Sequence, residues 1–204
     1  MSIKSISRAL TITVCAGLLS VNTHAAAIKD SNSGLLSPDI VIDFGNNLYA
    51  AGTTIDNQFL SSGVTFGPTF LYNDINTSYV PLTQGYLENI NISSQPGSIL
   101  FSLDVTAADF SWRTLKNTTT TFSAFNNNVL VEEFTDDTNT SETSGRFFGF
   151  KDILFDEIRF SIGHTQRGFT LDNLEYVSAI PVPAAVWLFG SGLLALIGFA
   201  RRKR

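Results

Sequence analysis

Cysteine is almost missing from this 204-residue chain, the one thiol being Cys15 in an apolar run near the N-terminus. The rest of the sequence therefore has no disulfide framework and no thiol nucleophile, and its stability must come from packing. Histidine is limited to His24 and His164, and the latter stands near Gly163 and Gly168 in the setting of a turn residue. No Gly-x-Ser-x-Gly pattern occurs, which removes that signature of a serine hydrolase. Positive charge is scarce between residues 28 and 178: seven basic residues stand there against all eighteen acidic ones, a balance of −11. Such a charge works against non-specific binding to nucleic acid or anionic lipid and suits divalent cations or neutral glycans. No stretch of this body sustains a helical period, and no internal repeat of useful length is present.

What the body does have is alternation. Ile99, Phe101, Leu103 and Val105 alternate with Ser102, Asp104 and Thr106, the period of a half-buried strand, and Ile158, Phe160 and Ile162 repeat it. Further β-prone runs occupy residues 40–44, 64–66, 110–115, 118–125, 129–134 and 147–150. Asn126, Asn127 and Asn128 read as a hairpin turn between two of them. The last apolar run, 169–177, slips phase, because Phe169 and Leu171 share one parity and Leu174 and Tyr176 the other; a bulge at Asp172-Asn173 reconciles them. Residues 28–38 read as a flexible lead-in and 136–144 as a polar loop. Eight or more strands over about 150 residues predict an all-β fold, a single jelly-roll-like β-sandwich filled largely by phenylalanine.

The two ends are of another kind. Lys4 and Arg8 precede an apolar run over 9–21, followed by Ala25, Ala26 and Ala27, so residues 1–27 read as a secretory signal peptide cut after Ala25 or Ala27 by signal peptidase. Val14 before Cys15, in mid-run, argues against a lipoprotein. At the other end, residues 184–200 are uncharged and follow Pro183, whose fixed φ suits a first helical position. At ~1.5 Å per residue a helix there covers roughly 26 Å, a minimal transmembrane span. Arg201, Arg202, Lys203 and Arg204 form a cytoplasmic basic tail by the positive-inside rule, leaving the body outside.

The order of residues in 179–204 is more specific than a span requires. Pro181, Val182, Pro183, Ala184, Ala185 and Trp187, continuing Leu188-Phe189-Gly190-Ser191-Gly192-Leu193-Leu194, resemble the PEP-CTERM sorting signal of Gram-negative bacteria. That signal joins a short proline motif, a hydrophobic helix and a basic cluster. Related tails are also grouped under an ice-binding protein C-terminal heading, which says nothing about ice. Val182 stands where many members have glutamate. The resemblance implies export, processing at the proline motif by the membrane protease exosortase, and association with the inner membrane, then the cell envelope, exopolysaccharide or biofilm matrix.

Ligand chemistry in the body is sparser. Asp172 and Asn173 at the expected bulge, with Asp43 from an early strand, offer hard oxygen ligands for a structural Ca2+, against which stands simple backbone capping. Tyr72 and Tyr79, in an asparagine-rich and loop-like stretch, are the candidate glycan-stacking rings, while Trp112, in phase with Phe110, reads as core. The acidic segment Asp136, Asp137, Asn139 and Glu142 opens like an EF-hand but lacks its glycine and final glutamate. Adjacent carboxylates such as Glu132-Glu133 and Asp156-Glu157 point to opposite faces of a strand, a poor start for a glycosidase pair. The leading expectation is a non-enzymatic envelope or matrix protein, with no catalytic residues and no nucleic-acid partner. A calcium-assisted glycan-binding module and a carboxylate-based hydrolase of matrix polysaccharide are the alternatives.

Overall fold

A computed structural model of the chain describes residues 26–45, 47–67, 70–74, 85–89, 97–114, 118–138, 146–163 and 168–179. Eleven strands run in chain order: β1 (Ala26–Ser31), β2 (Ile40–Ile42), β3 (Thr54–Ile55), β4 (Val64–Phe66), β5 (Phe70–Asn73), β6 (Tyr86–Asn89), β7 (Gly97–Thr114), β8 (Thr119–Asn126), β9 (Val129–Asp137), β10 (Phe147–Ile162) and β11 (Phe169–Ser178). Among the described residues a 3-10 turn, Leu60–Ser62, precedes β4. No helix among the described residues is long and apolar enough to cross a membrane; the run 184–200 lies outside them.

The strands form a β-sandwich, and two of them belong to both of its layers. The hydrogen-bonded order is β3-β5-β6-β11-β7-β10-β8-β9, with β1 added to β10, β2 to β11 and β4 to β7. The second half of β7 (Val105 onwards) pairs with β11 and with the first half of β10, whereas its first half pairs with β4 and with the second half of β10. Between the halves the β7–β10 register jumps, from Lys151↔Ala107 to Phe155↔Val105 and then to Glu157↔Leu100. Asp152, with φ 62°, takes up part of the bend. Extra residues at such jumps turn a strand from one sheet into the next.

Between the layers lies an aromatic core. Phe122 of β8 stacks on Phe148 of β10 with ring centroids 5.4 Å apart, and Trp112 of β7 stacks on Phe169 of β11 at 4.3 Å. Phe134 of β9 meets Phe150 at 5.2 Å. Full burial of each such ring contributes roughly 1.5–3 kcal/mol. Polar atoms within this layer are paired: the Trp112 Nε1–H donates to Thr120 Oγ1 at 3.1 Å, and Thr120 and Thr138 share a hydroxyl hydrogen bond of 2.7 Å.

Several expectations are met here and others are corrected. The β8–β9 hairpin turns on Asn127 and Asn128, both at positive φ, as the asparagine run suggests. The β11 bulge falls where the phase slip puts it, between Asp172 and Glu175, with Asn173 at φ 48°. By contrast, the lead-in begins with β1, which pairs with β10 through Ala26↔Lys151 and Ile28↔Gly149. The stretch read as loop around Tyr72 contains β5 and β6, and Asp136 and Asp137 close β9 opposite Thr120 and Thr119. Leu103, in phase with the buried Phe101 and Val105, is 69% exposed, because the bend in β7 breaks the alternation there.

Candidate functional site: a cleft at the sandwich corner

The bends in β7 and β10 leave a cleft of about 620 Å³ lined by Phe101, Ser102, Leu103, Asp104, Asn127, Leu154, Asp156 and Ala179. One wall is the β8–β9 turn, held down by the Asn127 backbone N–H donating to Asp156 Oδ2 at 2.9 Å and, more weakly, by Asn126 Nδ2 at 3.5 Å from Asp104 Oδ1. The other is the chain leaving β11, where the Ala179 N–H donates to the Asp104 carbonyl at 2.8 Å. Leu103 and Leu154 stand exposed in it, and Val129 and Leu130 are exposed just past the turn. The cleft thus has an apolar side and a rim carrying the Asp104 and Asp156 carboxylates, a composition suited to an amphipathic surface.

A second polar feature lies on the outer face of the layer that holds β11. Asp109 of β7 is 1% exposed, with Glu175 opposite it on β11 and Gly149 opposite it on β10. Residues 34 and 35 cover the spot: the Leu35 N–H donates to Glu175 Oε2 at 2.8 Å, and a Cβ on Gly34 would lie 2.4 Å from the same oxygen. Burial, then the Glu175 charge, push the Asp109 carboxyl up to about 8, with the Leu35 N–H partly opposing them. Glu175 is raised too, chiefly by burial. Among the described residues Asp109 Oδ1 has no hydrogen-bond partner, which likewise favours the protonated over the charged form.

The residues singled out from sequence fare unevenly. Tyr72 is fully buried, its hydroxyl donating to the Gly45 carbonyl at 2.6 Å and accepting the Leu48 N–H at 3.0 Å. It holds Gly45 and Leu48 from within and has no face to offer a sugar. Tyr79 lies outside the described residues, as do Pro181, Val182, Pro183, Ala184, Ala185, Trp187 and the basic tail 201–204. Trp112 is core as expected. Strand β2 sets Ile42 opposite Leu174, so Asp43 follows one step along towards Asn173. Asp43 Oδ1 accepts the Gly45 N–H at 2.9 Å, and the buried Asp172 accepts the Asn173 N–H at 2.7 Å, both of them turn-capping bonds. No group of three or more His, Cys, Asp or Glu placed to hold a metal ion occurs among the described residues. The corner cleft itself escaped the sequence reading; the signal available was a second phase slip, between Phe150 and Phe155 in β10.

Comparison with protein-family models finds no match, and comparison with curated proteins finds none. Among solved structures the chain is similar to a Clostridium thermocellum endo-1,4-beta-D-xylanase 10B, CBM22-1–GH10 modules complexed with xylohexaose, at 13% identity and a TM-score of 0.36. The match covers 65% of this chain and 28% of that one. A cyclase from Fischerella sp. TAU aligns at 11% identity and a TM-score of 0.33, over 77% of this chain and all of its own. CtCBM11 aligns at 11% and 0.28, over 66% of this chain and 99% of its own.

Proposed function

We propose that the chain is an exported protein whose jelly-roll-like ectodomain works at the cell envelope or in the extracellular matrix, delivered by the signal peptide 1–27 and sorted through the PEP-CTERM-like segment 179–204. The observation that carries this reading is the ordered series Pro181-Val182-Pro183-Ala184-Ala185 and Trp187-Leu188-Phe189-Gly190, followed by an uncharged run and four basic residues. A plain anchor needs the apolar run and the basic end but not that order. The body's strand β11 ends at Ser178 and Ala179 is tied to Asp104, so the proline motif follows the sandwich with almost no stalk. Exosortase and signal peptidase are the processing partners this reading requires. Exopolysaccharide is the matrix component it would keep company with, and the reading assigns the ectodomain no reaction.

Mass spectrometry of the mature C-terminus tests it, comparing cells with and without exosortase. The expected outcome is a terminus near residues 181–185 in the first and an intact Arg204 in the second. An intact tail in both would reduce the segment to an ordinary anchor.

A further inference from the structure

Both ends of the described body lie at the corner. Strand β1 opens with Ala26 opposite Lys151, beside the bend at Asp152, and β11 ends with Ser178 opposite Val105 and Ala179 lining the cleft. The same end exposes Leu103 (69%), Val129 (66%), Leu130 (50%) and Leu154 (47%). Single exposed leucines are ordinary on protein surfaces, whereas several gathered at one end mark a surface that meets something.

Chain length says what that something is. With residues 184–200 inserted in a bilayer, only residues 180–183 separate the span from Ala179. From Ala179 to Ala184 is five Cα steps, which fully extended, at ~3.6 Å each, reach roughly 18 Å. The headgroup layer takes up about 5–7 Å of that on each side of the hydrocarbon. At full stretch this holds Ala179 within about 13 Å of the headgroup surface, so the corner stays beside the lipid.

We propose that the sandwich corner rests on the headgroups of the bilayer that holds residues 184–200, with Leu103, Leu154, Val129 and Leu130 entering the interface. This inference rests on the anchored-tail reading given above. The body's excess of acidic residues opposes binding to a bilayer from solution, so the contact depends on the tether, which holds the corner at high local concentration. Asp104 and Asp156, fixed by Asn126 and Asn127, stay at the wet rim, where headgroup ammonium ions face them. Before processing, then, the body lies corner-down on the membrane.

The test uses the full chain in vesicles of phosphatidylethanolamine and phosphatidylglycerol, part of the lipid carrying bromine on its acyl chains. Cys15→Ser supplies a thiol-free background for single variants Leu103→Cys, Leu154→Cys and Thr119→Cys, each bearing a fluorescent label. Thr119 is exposed and sits at the far end of β8 from the turn. Trp187 reports insertion of the tail by its own quenching, over a constant background from the buried Trp112. The expected result is quenching at 103 and 154 severalfold greater than at 119, together with quenching of Trp187. Labels at 103 and 154 quenched no more than the one at 119, with Trp187 quenched, would overturn the inference and leave the anchor reading standing. An unquenched Trp187 would remove both. Excimers between labels at position 103 would give the face to a second copy and likewise overturn the proposal.

Discussion

Asp109 is the residue whose chemistry departs furthest from that of an exposed side chain. Its pKa of about 8 in the fold means that the folded state keeps a proton which the unfolded chain releases at ordinary carboxylate pH. Between those two values the folded state binds more protons than the unfolded one. Stability therefore falls as pH rises through that interval and levels off once the folded carboxyl has ionised. Glu175, shifted the same way, adds to the slope. Asp109→Asn keeps the shape and removes the ionisation, so thermal melting of the variant should depend less on pH and should exceed that of the parent at about pH 8, by on the order of 1–3 kcal/mol. A parent that melts higher at pH 8 than at about pH 5 would contradict this account. Trp112 makes a second test at this scale: Trp112→Ala removes the stack on Phe169 and the partner of Thr120 together, and a loss of about 3–5 kcal/mol in denaturant unfolding is expected.

At the scale of elements, the β8–β9 hairpin rests on two asparagines at positive φ. Asn128 also accepts a hydrogen bond from Arg159. Asn128→Ala should cost roughly 1–2 kcal/mol, since alanine resists the left-handed region, while Asn128→Gly should recover most of the loss. Equilibrium unfolding of the two variants checks the ordering. The hairpin was readable in the sequence because asparagines at a turn carry local backbone information, and the β11 bulge because Leu171 and Leu174 betray a change of parity. Strands β1, β3, β5 and β6 were not readable. They are short, and what makes them strands is pairing, β1 with β10, β3 with β5, β5 with β6 and β6 with β11, a condition that local pattern does not record. Leu103 misleads for a related reason: it keeps the strand's parity while β7 turns it outward. Tyr72 misleads in the opposite sense, since polar neighbours in sequence hid a ring that holds Gly45 and Leu48 from within.

The described body is two layers joined through β7 and β10, with its first and last described residues, Ala26 and Ala179, at one end. Periodicity carries a trace of the bend in β10, in the phase slip between Phe150 and Phe155, but not of the corner or its cleft, which depend on two bends being brought together by the β7–β10 pairing. The tail 180–204 lies outside the described residues, and the role proposed for it rests on residue order alone. One consequence of this layout is mechanical. For a protein held by its tail, tension enters at Ala179 and passes along β11 towards the far end of the sandwich. It meets hydrogen bonds to β7 on one side and to β2 and β6 on the other, and loads them side by side. Pulled with handles at residues 179 and 119, the sandwich should yield at a higher force than with one handle on the edge strand β9, whose pairs with β8 open in succession; equal forces in a single-molecule experiment would refute this. The strand that leads into the proposed sorting motif is thus also the one by which a tethered body would resist being torn away.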